Sequence, residues 1–163
     1  VNTTHQQLIK RIRNEVPDLD RTTQKALRAW RHMKASPDDQ DLYLDSVALN
    51  LQSFYSGLER IFELIARGID QQVPDGENWH LSLLRQMADD LPDVRPAIIS
   101  RESSERLDEY RRFRHLVRNI YTANLIPERM ADLLMNLPDL WLKVRAELLA
   151  YADLLQEIEG SDQ

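Results

Sequence analysis

The chain has 163 residues and a formal net charge of −6 at pH 7, from 27 acidic and 21 basic side chains, and it has no cysteine. Its length can bury one sizeable core without a metal or a disulfide, so one domain is expected. The absent cysteine removes disulfide frameworks, thiolate zinc sites and cysteine nucleophiles, as suits a reducing cytosol.

With 4 Gly, 7 Pro and almost no alternating β-branched run, strand signals are lacking, and apolar residues recur at helical spacing nearly throughout. The fold expected is all-α: a first helix over residues 1–35 packed on a bundle formed by 36–160. Thr3 or Thr4 is placed to cap the first helix, which runs to about Ala35 with rather polar faces, along the edge of the bundle. Ser36-Pro37-Asp38-Asp39 stops it and starts a second, with proline in the first turn and acids where the macrodipole favours them. That second helix reaches about Asp70, and Leu44, Val47, Ala48, Leu51, Phe54, Tyr55, Leu58, Ile61, Phe62 and Ile65 give it the broadest apolar face in the chain. Glu59 and Arg60 interrupt that face, and as neighbours in sequence each needs its own partner; one of them is placed to support the region around Arg114.

Residues 71–78, QQVPDGEN, are turn chemistry, and Asn78 can cap a short helix from Trp79 to about Asp90. Residues 91–99 read as an ordered connector. Ser100 caps a third long helix running to about Ala123, and Pro127 starts another, in which Pro138 is a kink or a fresh start. No stretch has the length of a membrane span or the form of a signal peptide, so a soluble, cytoplasmic protein without membrane contact is expected.

Only Lys10, Lys25, Lys34 and Lys143 among the cations are lysine; the rest are arginine, the bidentate partner of carboxylate and phosphate. They cluster in EYRRFRHLVRNIY, residues 109–121. At about 100° per residue, Tyr110, Phe113, Val117 and Ile120 fall on one side and form the core face. Arg111, Arg114, His115 and Arg118 fall on the opposite side, with Tyr121 at the seam. The plain account is a surface stripe whose arginines pair with Asp108 or with acids of a neighbouring helix. The functional account is an imidazole that carries protons near neutral pH among guanidiniums that hold a phosphate.

In this stretch, and in DSVALNLQSFYSGLERIFELIA (45–66), NWHLSLLRQM (78–87) and RPAIIS (95–100), the chain resembles the HEPN superfamily, specifically the HepT-like ribonuclease toxins. The resemblance implies a helical bundle that dimerises, cuts RNA without a metal or any other cofactor by attack of a ribose 2′-hydroxyl on the adjacent phosphate, and is neutralised by a minimal nucleotidyltransferase antitoxin. The family's order of arginine, asparagine, spacer, histidine, any residue, tyrosine places Arg114 on the arginine, His115 where asparagine is common, Asn119 on the histidine and Tyr121 on the tyrosine that the partner adenylylates. Histidine and asparagine have traded places, and an amide cannot act as acid or base at neutral pH. The resemblance therefore implies two readings: a nuclease in which His115 has taken over the proton transfer, with Arg114 as charge stabiliser and Arg111 or Arg118 assisting, or a non-catalytic module that binds RNA, a nucleotide or a partner. His80 is a second candidate at the site, although Trp79-His80 at a helix start also suits a packed aromatic with a capping imidazole. Asp38, Asp39 and Asp41 lack a metal-loop context, so no metal site is expected.

Overall fold

The computed structural model describes residues 2–119 and 125–162. Among them five α-helices carry the fold: α1 (Thr3–Ala35), α2 (Gln40–Ile65), α3 (Trp79–Met87), α4 (Arg101–Asn119) and α5 (Pro127–Ser161). The described residues contain no strand, only an isolated bridge between Leu91 and Arg95. The expected all-α, single-domain class holds, and no described helix is long and apolar enough to cross a membrane.

Side-chain pairs give the helix directions. His5, Arg13 and Asp20 on α1 meet Glu159, Asp153 and Arg145 on α5, a descending series that makes the two helices antiparallel. Leu19 lies against Gly57, and Thr4 against Gly68 just beyond the end of α2, so α1 and α2 are antiparallel as well. A Cβ on Gly57 would lie 2.8 Å from Leu19 Cδ2, so glycine permits this close approach. Arg106 pairs with Asp139 and Glu102 with Lys143, so α4 and α5 run oppositely. By contrast Phe54 meets Tyr110 and Glu59 meets Arg114, so α2 and α4 run the same way. Parallel neighbours need a crossover, and α3 with the connector to Ser100 is that crossover.

Phe54 sits at the centre, edge-on to Tyr110 at 5.6 Å and to Trp141 at 5.8 Å. α1 contributes Leu8, Ile12, Val16, Leu19, Ala26 and Met33 to the same core. Its cap is Asn2 rather than Thr3 or Thr4: the Asn2 amide oxygen accepts from the N–H groups of Thr4 and His5. Asn78 makes no side-chain cap, and α3 ends at Met87, earlier than the turn signals suggest. Ser100 does cap α4, its hydroxyl accepting from Ser103 N–H at 3.0 Å. α5 runs through Pro138 without a break. Proline offers no N–H to the carbonyl of Leu134, and the Tyr110 hydroxyl donates to the neighbouring Leu133 carbonyl at 2.7 Å, bracing that turn against α4.

The end of α2 tightens the fold further. A π-turn over Ala66–Asp70, closed by Gln71 in the left-handed region at φ 54°, turns Asp70 inward. Asp70 meets Arg95 in a two-pronged pair, Nε to Oδ1 at 2.5 Å and Nη2 to Oδ2 at 2.7 Å, with side chains 0% and 1% exposed. The remaining arginine hydrogens go to the carbonyls of Gln86, Asp89 and Pro96, and Gln86 donates to Asp70 at 2.7 Å. This network fixes the crossover to α2.

Glu159 closes the other end, accepting the Asn2 N–H and facing His5 Nδ1, each at 2.8 Å. The Asn2 hydrogen bond, assisted by His5 and opposed by desolvation, holds its carboxyl below the ordinary 4.5. A lowered carboxyl contributes stability that is complete above pH 4.5 and drains as pH falls through the lowered value. Wild type is expected to have a higher urea midpoint than Glu159→Gln at neutral pH, and the two should converge in acid. A gap that persists unchanged at low pH would refute the assignment.

Candidate functional site

The site starts from a carboxylate in an apolar place. Glu59 lies on the core face of α2, one turn after Tyr55, with its side chain only 5% exposed. An ionised carboxylate there requires partners, and two other helices supply them. His80 on α3 presents Nδ1 to Oε2 at 2.8 Å, and Arg114 on α4 brings Nη1 to 3.6 Å from Oε1. One carboxylate thus joins α2, α3 and α4.

His80 is held on its other side by Trp79, whose ring stacks on the imidazole at 3.6 Å between centroids and 29° between planes. Its side chain is 27% exposed, so the imidazole is anchored at one edge and open to solvent elsewhere. A carboxylate at Nδ1 favours the tautomer with hydrogen there, leaving Nε2 to accept. Tyr55 lies beneath, fully buried. Burial first, and then the charge of Glu59, push its phenol far above the ordinary 10, so it stays neutral.

The basic stripe of α4 divides into two parts. Arg111 donates to Asp108 at 2.6 Å and is half-buried, and Arg114 is only 17% exposed. His115 and Arg118 are exposed. The helical wheel put all four opposite the core; the structure corrects this for Arg111 and Arg114, because α4 packs against α2, α3 and α5 together and has more than one covered face. Tyr110 and Phe113 are buried as the wheel expects, Val117 is partly buried and Leu116 is exposed. Tyr121 and Ile120 lie outside the described residues.

Asn119 follows His115 by one turn, and its amide nitrogen stands 3.0 Å from His115 Nε2. In that orientation the amide donates to a neutral imidazole. Turned over, its oxygen would accept from the protonated ring, so the pair suits either charge state. Between α3 and α4 a cleft of about 420 Å³ is lined in part by Leu84, Arg85, Arg101, Ser104 and Asp108, and none of Glu59, His80 and Arg114 lines it. Among the described residues no group of three or more acids and histidines could hold a metal ion.

The residues singled out from the sequence fall into two groups that meet on α4, where Arg114 and His115 are consecutive. Arg114 and His80 share Glu59; His115 and Asn119 form a separate exposed pair on the next turns of α4; Arg111 is committed to Asp108; Arg118 is exposed. Glu59, which the sequence marks as an interruption of the core face of α2, is the acid that supports Arg114, as expected of it or Arg60. Its bond to His80 carried no sequence signal.

Comparison with known proteins gives one result. The family model described as “HepT-like protein” matches residues 46–155. No curated protein and no solved structure matches the chain.

Proposed function

Because the chain belongs to the HepT-like family, we propose that it is a HEPN-type RNA endonuclease that works without a metal, the toxin of a pair whose other member is a minimal nucleotidyltransferase. The observation that carries this reading is that the family match takes in Glu59, His80 and Arg114 together. In the reaction the ribose 2′-oxygen attacks the adjacent phosphorus, a cyclic phosphate forms and the 5′-oxygen leaves. Arg114, aimed by Glu59, stabilises the charge that builds on the phosphoryl oxygens. His115 gives the departing oxygen its proton, and Asn119 orients the ring. Arg118, exposed on α4, draws the backbone phosphates in, while Arg111 stays on Asp108. Tyr121 is the residue the partner adenylylates, and a homodimer brings two such surfaces to one cleft.

Protein purified free of any partner is expected to cut RNA with EDTA present. His115→Ala should slow cleavage by roughly 100-fold or more, the usual worth of a positioned proton carrier, while Asn119→Ala, which removes only the orienting amide, should cost less. Clean wild type that leaves RNA intact would sink the nuclease reading.

A second reading has its own support. Asn119 stands where the family's histidine is expected, and Arg111 and Arg114 already face carboxylates at 2.6 and 3.6 Å. A protein that retains RNA or a nucleotide without cleaving it, and loses the complex with Arg118→Ala, would be a binding module.

A further inference from the structure

We infer that His80, oriented by Glu59, is the general base of the site. The inference rests on the nuclease reading and assigns a step which that reading leaves open: removal of the proton from the attacking 2′-hydroxyl. Three observations carry it. The imidazole is fixed by two contacts, the Glu59 carboxylate at Nδ1 and the stacked Trp79 ring, while the side chain keeps 27% exposure. Glu59 is buried on the core face of α2, and His80 is the closer of the two partners its carboxylate has on α3 and α4. Glu59 also faces Arg114, so the base and the charge stabiliser are set by the same carboxylate.

The chemistry balances. Neutral His80, with its hydrogen on Nδ1 directed to Glu59, accepts the 2′-hydroxyl proton at Nε2. The O2′–P bond forms, the P–O5′ bond breaks, and the 5′-oxygen takes a proton from His115. The products are a 2′,3′-cyclic phosphate and a 5′-hydroxyl, with no net gain or loss of protons. The two imidazoles return to their starting states by exchange with water. Glu59 touches no substrate; it is a positioning residue that holds the ring and its Nδ1–H tautomer. The charged groups around the dyad are Glu59 on α2 and Arg114 on α4, with Arg111 and Asp108 on α4 beyond Tyr55. Trp79 is the neighbour on α3 itself.

The test is a pH–rate profile of RNA cleavage for wild type, His80→Gln, Glu59→Gln and His115→Ala. His80→Gln is expected to lose roughly 100-fold or more in rate and to lose the acidic limb of the profile. Glu59→Gln keeps the base but no longer fixes its ring and tautomer, so it should lower kcat by less than His80→Gln and leave KM unchanged. His115→Ala should keep the acidic limb. If wild type cuts and His80→Gln cuts within about threefold with the same acidic limb, His80 is a packing residue and the inference falls while the nuclease reading stands. If clean wild type does not cut at all, both fall.

Should His80→Gln fail to fold, the imidazole signals of wild type, titrated with a dinucleotide carrying 2′-deoxyribose at the scissile position, decide the matter. The His80 signal is expected to shift on binding and to follow pH with the midpoint of the acidic limb. A His80 signal indifferent to the dinucleotide overturns the assignment.

Discussion

Replacing Asp70 by alanine is expected to cost about 3–5 kcal/mol of stability, the range for breaking a buried ion pair from one side. The loss is large because Arg95 has nowhere else to go: its side chain is 1% exposed and its other donors are already spent on the carbonyls of Gln86, Asp89 and Pro96. The variant leaves a guanidinium without a counter-charge in a dry place, and Gln86 loses its acceptor. For a domain of this size that corresponds to a fall in Tm of roughly 10 °C. Removing both charges should cost less than removing either alone, because the double variant, Asp70→Asn with Arg95→Met, buries no orphan ion. Thermal and urea unfolding of the two single variants and the double variant checks this. A loss below about 1 kcal/mol in Asp70→Ala, the usual worth of an exposed pair, would mean that the pair is not buried in solution.

Arg114→Ala is the variant expected to hurt activity most relative to its effect on folding. An oriented cation that meets the charge of the transition state is worth roughly 100- to 1,000-fold in rate. Its ion pair with Glu59 is longer, at 3.6 Å, and Glu59 keeps His80 at 2.8 Å when the guanidinium is gone. Stability should therefore fall much less than in Asp70→Ala. Arg114→Lys retains the charge but not the planar fork, and is expected to recover part of the rate. Single-turnover cleavage at saturating protein, run beside thermal unfolding of the same preparations, separates the two effects. Arg114→Ala with wild-type cleavage would remove Arg114 from the chemistry.

Much of the fold was legible because the physics involved is local. Pro37, Ser100 and Pro127 mark helix starts through backbone constraints that operate within one turn. The core face of α2 could be read because spacings of three and four residues repeat along one cylinder. What could not be read depends on partners distant in sequence. Asp70 and Arg95 are 25 residues apart, and neither the π-turn that aims one nor the connector that carries the other has a periodic signature. The wheel of α4 sorted Tyr110 and Phe113 correctly but set Arg111 and Arg114 on open surface, since a wheel holds no record of how many neighbours a helix has. Pro138 reads as an interruption until Tyr110, from another helix, is seen to brace the adjacent turn. In the candidate site, Arg114, His80 and Glu59 were visible as residues, and so was support of the Arg114 region from Glu59 or Arg60, whereas the bond that adds His80 to Glu59 is a property of three packed helices.

The parallel course of α2 and α4 has an energetic corollary. His80 joins Glu59 and Arg114 only while the crossover between α2 and α4 is docked, and α3 is the shortest of the five described α-helices. The long α1, α2 and α5 supply most of the hydrophobic core. A partial opening confined to residues 71–100 would carry His80 away from Glu59 while that core persisted, a sub-global transition of the kind amide exchange resolves. The Asp70–Arg95 bond is the latch on that opening, so the survival of the site and the survival of the bundle are separate quantities.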